Sequence, residues 1–538
     1  MDPAVTPAPA GATSVTRSVA GMGAAAAVSR AFGGLRMVVI AAVLGTTYLG
    51  NTFQAANSVS NVLFELLAAG ALSAVLVPTF VGFFNRGEDA RVEEVAGGVL
   101  SIAFVVLGVV SVLGIVFAPQ LAELLTAQVS DAGIAQQQEE LTTYLLRFFI
   151  PQVLLYAVGA VATAVLHAKG RFALPAIAPI GNTVVLVVAM LVFRWMAGPD
   201  PGLDLSSGEQ LCLALGGTLG VAAFVGIPAV GLRRSGFRFR MRHRRPWADR
   251  DVRSLLHLSS WAALQHTGIG ILLAAALVVC GGVAGGVVAY QLAMVVFLAP
   301  YGIVAQPIHT AVLPRLSHDV ASGDTDDLHR SLRWAVEAMA VATLPLAAAL
   351  TALSAPVMSV LAFGQAADGD GPQLLGAALL GLAVGIPAYG GFLLMTRAAY
   401  ALGDSRTPAL ASLGSAIVGA IGMIAAGQVA DGSTRLALVG GAHTLAYVVG
   451  GLWLVFGLRD RVGSVLGVRL LRPLVLAVGL GAVAWAVMEA WSPEGRLRVL
   501  LALAVFGGVG GVLYVAGLRA LGALPGRGPS VPRPVGVA

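Results

Sequence analysis

Charged residues are scarce in this chain. Lysine, arginine, aspartate and glutamate together make up 11% of its 538 residues, whereas 57% are hydrophobic and the mean hydropathy is +0.85. The core of a soluble protein does not need so many apolar residues. The composition therefore excludes an ordinary soluble protein and predicts one that crosses a membrane several times.

Cysteine and the sequence motifs of common enzymes are lacking as well. Only Cys212 and Cys280 are present, both inside predicted membrane spans, so we expect neither a disulfide framework nor a metal cluster. No HExxH, CxxC, P-loop or Gly-x-Ser-x-Gly context occurs, and no predicted outer loop is long enough for a catalytic domain. We therefore expect a transporter with no catalytic residue, no cofactor and no metal.

Long apolar runs are abundant. Runs of about 18 to 25 apolar residues between short polar loops predict an all-α polytopic membrane protein with about 14 transmembrane helices. The predicted spans lie near 25–48, 58–83, 97–118, 142–166, 175–196, 210–232, 255–280, 284–312, 333–355, 374–398, 408–428, 434–457, 471–490 and 496–518.

The net charge of +6 is unevenly distributed along the chain. With the N-terminus inside, all but five of the 33 basic residues fall in inner loops, tails and the adjoining helix ends. This asymmetry follows the positive-inside rule and predicts that both termini of the multi-pass protein lie in the cytoplasm. The basic stretch 233–253 is interpreted as a cytoplasmic linker beside anionic lipid headgroups. Because membrane spans flank it directly, we do not expect nucleic-acid binding.

The chain resembles itself at a nearly constant spacing. Residues 168–181 align without gaps on 401–414, and the pairs Pro151/Pro387 and Pro78/Pro314 repeat at a similar offset. Chance similarity between Ala- and Gly-rich membrane segments is the alternative, but proline interrupts a helix and is not a filler residue. We predict two six-helix lobes related by a parallel repeat, with the substrate site between them.

These boundaries predict six segments. They are a disordered cytoplasmic tail at 1–22, an N-terminal lobe at 23–232, the linker at 233–253, a C-terminal lobe at 254–458, two additional C-terminal helices at 459–518 and a Pro-rich cytoplasmic tail at 519–538.

One predicted helix carries a polar stripe. Its polar side chains fall within an arc of roughly 120° at 100° per residue, and a charged side chain in such a span costs at least about 2.5 to 3.5 kcal/mol. The stripe could be a seam that joins two helices by hydrogen bonds, or it could line a solvated cavity, which we favour. Its members are Asn51, Gln54, Asn57, Asn61 and Glu65.

Further candidate substrate-binding residues lie on two other spans. Arg30 and Arg36 on the first span either bind the phosphates of a substrate, for which guanidinium is well suited, or Arg36 pairs with Glu65 and locks the lobe. On the seventh span the candidates are His257, Gln265 and His266, for which packing inside the lobe is the alternative. The positions predicted to act as hinges or kinks are Gly70, Pro78, Pro151, Pro300, Pro307 and Pro387.

Several segments together resemble the MurJ (MviN) flippases of the multidrug/oligosaccharidyl-lipid/polysaccharide exporter superfamily. They are SRAFGGLR at 29–36, ANSVSNVLFELLAAGALSAVLVPTF at 56–80, GRFALPAIAPIGN at 170–182, TAVLPRLS at 310–317 and YALGDSRTP at 400–408. The similarity covers nearly the whole chain, including the two additional C-terminal helices, and is that of an actinobacterial-type member.

The resemblance implies a function and a set of residues. It implies two lobes around a cationic cavity, an apolar groove near the last two helices, and transport of lipid II, the undecaprenyl-pyrophosphate-linked peptidoglycan precursor, from the inner to the outer leaflet by alternating access. The implied partners are this lipid, membrane lipids and cell-wall synthesis proteins. The arginines of the family's first helix fall on Arg30 and Arg36. Elsewhere the sequence departs from the family pattern, because positions that carry an aspartate and two arginines in the family correspond to Asn51, Phe64 and the apolar pair Val295 and Val296.

Three rival functions remain open. An exporter of another lipid-linked oligosaccharide or of a drug would share the fold. A non-transporting membrane scaffold is favoured by the missing arginines, and a polyprenyl-linked glycosyltransferase is a more distant alternative. We find no buried acid in predicted spans 7, 11 or 12 that would make a cation site, so the membrane potential is the expected driving force.

Overall fold

A computed structural model describes residues 31–64, 70–237 and 260–526 of the chain, with the single residues 28 and 252. These residues form helices and turns, and none of them lies in a strand. The described part of the N-terminal half has nine helices. They are α1 (Ala31–Leu44), α2 (Tyr48–Phe64), α3 (Gly70–Asn85), α4 (Asp89–Val116), α5 (Ala118–Thr126), α6 (Ala132–Phe149), α7 (Gln152–Ala168), α8 (Ala173–Ala197) and α9 (Ser207–Arg234).

The second half repeats this order of helices. A π-helical turn, Tyr301–Ala305, joins α11 to α12, and two further helices, α19 and α20, follow the repeat. The helices are α10 (Ser260–Gly281), α11 (Gly286–Pro300), α12 (Gln306–Ser322), α13 (Thr325–Ala352), α14 (Ser354–Leu361), α15 (Gly371–Ala383), α16 (Ile386–Ala401), α17 (Arg406–Val429), α18 (Gly432–Gly457), α19 (Leu471–Trp491) and α20 (Arg496–Ala520).

Each of the 14 predicted spans coincides with a helix or a helix pair. Among the described residues, eleven helices or continuous pairs are long and apolar enough to cross a membrane, and the pair α15–α16, bent by 44°, makes a twelfth. The remaining two predicted spans correspond to the short helix α1 and to α2 with α3. The prediction of an all-α polytopic fold is therefore confirmed, although the number 14 is approximate because these two spans consist of shorter pieces.

Matching turns support the internal repeat. Gly87 and Gly323 follow corresponding helices with φ of 71° and 72°, and Gly170 and Gly403 do so with φ of 70° and 75°. The backbone N–H groups of the last two donate to the carbonyl three residues earlier in each case. Glycine is favoured in this left-handed region because it has no Cβ. We call α1–α9 the N-terminal bundle and α10–α18 the C-terminal bundle. The end of the bundles that carries these four turns is called the near end. The opposite end, where α1 joins α2 and α10 joins α11, is called the far end.

The two bundles share a hydrophobic core only in the half toward the far end. There, residues such as Phe53 of α2 and Val288 of α11 belong to one cluster built from both bundles. Toward the near end, Phe80 lies in a cluster of the N-terminal bundle, whereas Leu332 lies in a separate cluster of the C-terminal bundle. The described bundles thus share a core toward the far end and have separate cores toward the near end, although α10 also contacts α3.

The predicted kink positions lie at helix breaks or inside helices. Gly70 begins α3, and α16 begins where the pair α15–α16 bends. Pro78 lies inside α3, Pro151 precedes α7, Pro300 ends α11 before the π-helical turn, and Pro307 and Pro387 lie in the first turns of α12 and α16. That these positions bend during transport stays a prediction. Most of the predicted linker 233–253 and the N-terminal tail lie outside the described residues.

Candidate substrate site between the bundles

Arg36 lies in a polar cluster of the N-terminal bundle. The side chain is half-buried in α1, and its Nε atom is buried with no hydrogen-bond partner among the described residues. The hydroxyl of Tyr156 on α7 is close enough to interact with the guanidinium electrostatically. A guanidinium inside a membrane bundle needs an anion or strong acceptors. Among the described residues the cluster therefore holds a cation without a carboxylate partner, which could bind an anionic ligand.

Neutral donors and acceptors surround this cation. The Tyr156 hydroxyl donates to Asn61 Oδ1 at 2.8 Å, and Asn61 Nδ2 lies 3.4 Å from the carbonyl of Asn57. Both asparagines are half-buried, so their side chains remain partly accessible. The ring of Phe64 packs on Tyr156 with centroids 5.1 Å apart. Tyr156 is the residue of this cluster that sequence analysis missed, although it lies one helical turn after the polar Gln152.

The outer part of the stripe forms a seam between the bundles. Asn51 is 2% exposed, and its Nδ2 donates to the carbonyl of Val283 at 2.7 Å. Its Oδ1 accepts from the N–H of Val287 at 2.9 Å, in the first turn of α11. Gln54 is buried too, with Nε2 3.4 Å from the sulfur of Met37. The stripe thus joins helices at Asn51 and Gln54 and becomes partly accessible at Asn57 and Asn61.

Other contacts also join the bundles at and toward the far end. Gln291 of α11 donates to the Ser58 hydroxyl at 2.7 Å, and Gln365 donates to the carbonyl of Pro199 at 2.6 Å. Gly285 adopts φ of 72° with no room for a side chain, since a Cβ there would lie 2.3 Å from Thr46 Cα. We call this set of contacts, with those of Asn51, the far-end gate.

The predicted substrate-binding residues of the C-terminal bundle that the structure describes lie outside the Arg36 cluster. Gln265 is 8% exposed and accepts a hydrogen bond from the Tyr400 hydroxyl, and its backbone carbonyl accepts from Ser412 at 2.8 Å. Gln265 therefore packs among α10, α16 and α17, which is the alternative that sequence analysis left open. His266 is half-buried in α10. Its role and that of Gln265 in substrate binding stay predictions.

Three candidates, Arg30, Glu65 and His257, lie outside the described residues. The predicted pairing of Arg36 with Glu65 therefore also lies outside them.

An apolar groove follows the last helices. Two adjoining open pockets of about 290 and 340 Å³ lie between α13, α16 and α19, and α18 also lines the first of them. Leu344, Pro387 and Leu474 line both. Such a surface suits a hydrocarbon chain and not a polar headgroup.

A repeated pair of membrane bundles with an arginine inside one of them is the architecture of a two-lobed membrane transporter. A family model described as lipid II flippase MurJ matches residues 40–506. This match covers most of the sequence, and the chain belongs to the MurJ family.

Individual relatives agree with this assignment. A protein of Rhizobium tropici described as a probable lipid II flippase MurJ is 27% identical over 389 residues, covering 72% of this chain and 71% of that protein. A Synechocystis protein of the same description is 24% identical over 386 residues, covering 72% and 71%. Both relatives are matched over more than two thirds of their own length.

Solved structures show the same fold. A structure of lipid II flippase MurJ in an inward closed conformation aligns with a TM-score of 0.73 at 18% identity, over 93% of this chain and 99% of that one. An inward-facing multidrug resistance MATE family transporter of the MOP superfamily aligns with a TM-score of 0.63 at 12% identity, over 80% and 95%.

Proposed function

We propose that this chain carries lipid II from the inner to the outer leaflet of the bacterial plasma membrane by alternating access. The observation that carries the proposal is the unpaired Arg36 guanidinium, which lies among hydrogen-bonding groups inside a membrane bundle. The pyrophosphate of lipid II is a dianionic group of fixed geometry, and guanidinium binds phosphate through paired N–H donors. No covalent bond changes in this process.

The proposed orientation places the near end in the cytoplasm. The turns and helix ends there carry many basic residues, as expected of the inner side of a membrane protein. Because the near-end cores of the two bundles are separate and the far-end gate is closed, the headgroup would enter from the cytoplasm. The described basic residues at this end include Arg86, Arg91, Lys169, Arg171, Arg233, Arg234, Arg315 and Arg406.

Each part of the lipid has a proposed place. The pyrophosphate and the first sugar bind Arg36 with Asn57, Asn61 and Tyr156, because these side chains supply donors and acceptors that replace hydration. The polyprenyl chain stays in the apolar groove beside Leu474 or in the surrounding lipid. Asn51 acts in closing the far end, whereas Gln54 packs on Met37 within the N-terminal bundle. Neither side chain contacts the headgroup while the far end is closed. Cell-wall synthesis proteins are the proposed partners, since they would deliver and consume the lipid.

The test is complementation of a bacterium depleted of its own lipid II flippase, with lipid II measured on each face of the membrane. Losing a charge-assisted hydrogen bond costs about 1.5 to 3 kcal/mol, or about 10- to 150-fold in binding. We therefore expect Arg36→Ala to leave lipid II on the inner face, and Arg36→Lys to restore transport in part. Arg147→Ala, which removes an exposed arginine of α6 outside the cluster, should transport normally.

Two results would overturn the proposal. One is growth and normal lipid II exposure with Arg36→Ala at native protein levels, which would favour a scaffold. The other is failure of the unaltered chain to expose lipid II while it exports another polyprenyl-linked sugar, which would assign it to a different exporter class.

A further inference from the structure

A buried histidine joins three helices of the C-terminal bundle. His443 of α18 is 5% exposed, and its Nε2 lies 2.8 Å from the hydroxyl of Tyr447 on the same helix. Its Nδ1 forms a hydrogen bond with the hydroxyl of Tyr290 on α11. The ring of Tyr447 packs at a tilt against that of Tyr389 on α16, with centroids 4.8 Å apart. Both ring nitrogens of His443 therefore face phenol oxygens inside the bundle.

No carboxylate of the packed helices faces this histidine. The described helices around α18 contribute few titratable or charged side chains, and α15 contributes none. Asp368, Asp370 and Asp431 line one pocket at the far end of α18. Asp431 pairs with Arg435 at 2.6 Å and lies about three turns from His443 along the helix. The groups on the packed elements are Tyr290 on α11, Tyr389, Arg397 and Tyr400 on α16, Cys280 and His266 on α10, Arg406 on α17, and Tyr447 and Arg435 on α18 itself.

The two protonation states of His443 use the tyrosines differently. A neutral imidazole has one N–H and one lone pair, so one tyrosine donates to the ring while the other accepts. An imidazolium donates from both nitrogens, and both hydroxyl hydrogens must then find other acceptors. The Tyr290 side chain is fully buried, and its hydroxyl makes no second hydrogen bond among the described residues. Protonation of His443 therefore leaves the Tyr290 hydroxyl hydrogen without a hydrogen-bond acceptor while the surrounding helices stay packed.

The helix that carries Tyr290 also makes two contacts of the far-end gate. Gln291, the next residue, donates to Ser58 of the N-terminal bundle. Val287, one turn earlier, donates to Asn51. A shift of α11 that frees the Tyr290 hydroxyl would act directly on both of these contacts between bundles.

We propose that His443 is a proton-binding site whose protonation favours opening of the far-end gate through Tyr290 and α11. The site is separate from the Arg36 cluster, which lies in the other bundle. A proton bound this deep in the membrane would also couple gate opening to the membrane potential, since moving a charge across the field requires work. The consequence for lipid II transport rests on the proposed function, but the movement of the gate does not.

The test measures the gate directly in purified full-length protein without substrate. Spin labels at Gln136→Cys on α6 and Gln373→Cys on α15 report the distance between the bundles at the far end, since both positions are exposed there. Cys212 and Cys280 are replaced by alanine, and the protein is placed in lipid nanodiscs. Between about pH 8 and about pH 4.5, a range that spans histidine titration, we expect the population with long distances to rise at least about tenfold.

Variants decide whether His443 is responsible. His443→Gln keeps a donor and an acceptor but cannot titrate in this range, so it should abolish the rise. Tyr290→Phe removes the hydroxyl that protonation strands and should weaken the rise, which gives a second measurement if His443→Gln does not fold. His318→Gln, at an exposed histidine near the opposite end, should respond to pH as the unaltered chain does.

Three outcomes would overturn the inference. They are a gate distance that does not change with pH, a full response in folded His443→Gln, and an unchanged response in Tyr290→Phe. A chain that opens with acid but transports no lipid II would refute the proposed function and leave the proton site standing.

Discussion

The far-end gate depends strongly on one side chain, Asn51, and its removal should open the molecule. Alanine at this position removes the bond to Val283 at 2.7 Å and the bond from Val287 at 2.9 Å. It also leaves the buried Val287 N–H unpaired, because the first turn of a helix has no internal acceptor for it. Losing two such bonds and leaving one donor unpaired should lower the free energy that favours the closed form by about 2 to 4 kcal/mol. The ratio of closed to open molecules should therefore fall by about 30- to 900-fold.

The label pair at positions 136 and 373 provides the assay for Asn51→Ala. Thr52→Ala is the matched control, since the Thr52 hydroxyl bonds only within the N-terminal bundle, to Tyr48 and from Gln138. That control should lower the thermal stability while the far-end distance stays short. If Asn51→Ala keeps the short distance and Thr52→Ala behaves in the same way, the gate does not depend on Asn51 and the reasoning fails.

Two further substitutions test local features. Gly285→Ala should open the far end, because a Cβ would lie 2.3 Å from Thr46 Cα. Gly87→Ala is the control, since Gly87 has a similar φ but open space around it. It should lower the stability by only about 1 to 2 kcal/mol and leave the distance between labels unchanged. Asp404→Ala should lower the free energy of unfolding by about 0.5 to 2 kcal/mol, because its carboxylate caps α17 through the Thr407 N–H at 2.9 Å and hydroxyl at 2.7 Å. Partial burial alone would raise the pKa of Asp404, but the Thr407 bonds outweigh it and the pKa is lowered. The stability difference in thermal unfolding should thus be present above about pH 4 and vanish as pH falls through the lowered value; a difference that grows with acid would contradict this assignment.

Much of the fold could be predicted because membrane spans impose a simple length rule. The repeat was also visible, since prolines and glycines mark turns and kinks that cannot drift freely. The first two spans were predicted less well. The chain turns near Gly45, between α1 and α2, and hydropathy averaged over a window does not register this break.

The site was predicted only in part, because helical periodicity gives the direction of a side chain but not its partner. The arc of polar residues on α2 was evident, yet nothing local distinguishes Asn51, whose partners lie more than 200 residues away, from Asn61. Gln265 shows the converse case. A polar residue on an apolar helix can face another helix of its own bundle, and only the position of Tyr400 reveals that it does.

Corresponding helices of the two bundles carry different polar groups at one position. Thr218 on α9 occupies the place that His443 occupies on α18, eleven residues after the first residue of each helix. Thr218 accepts a neutral hydrogen bond from Gln152 of α7 at 3.0 Å, whereas His443 contacts two tyrosines. A Gln–Thr pair keeps one protonation state at every physiological pH, so it can hold the N-terminal bundle rigid around Arg36. A histidine can change charge, and it lies in the bundle whose α11 closes the gate. The repeat thus gives two bundles with the same order of helices. The proposed anion site lies in one bundle and the proposed proton site in the other, so each bundle contains only one of them.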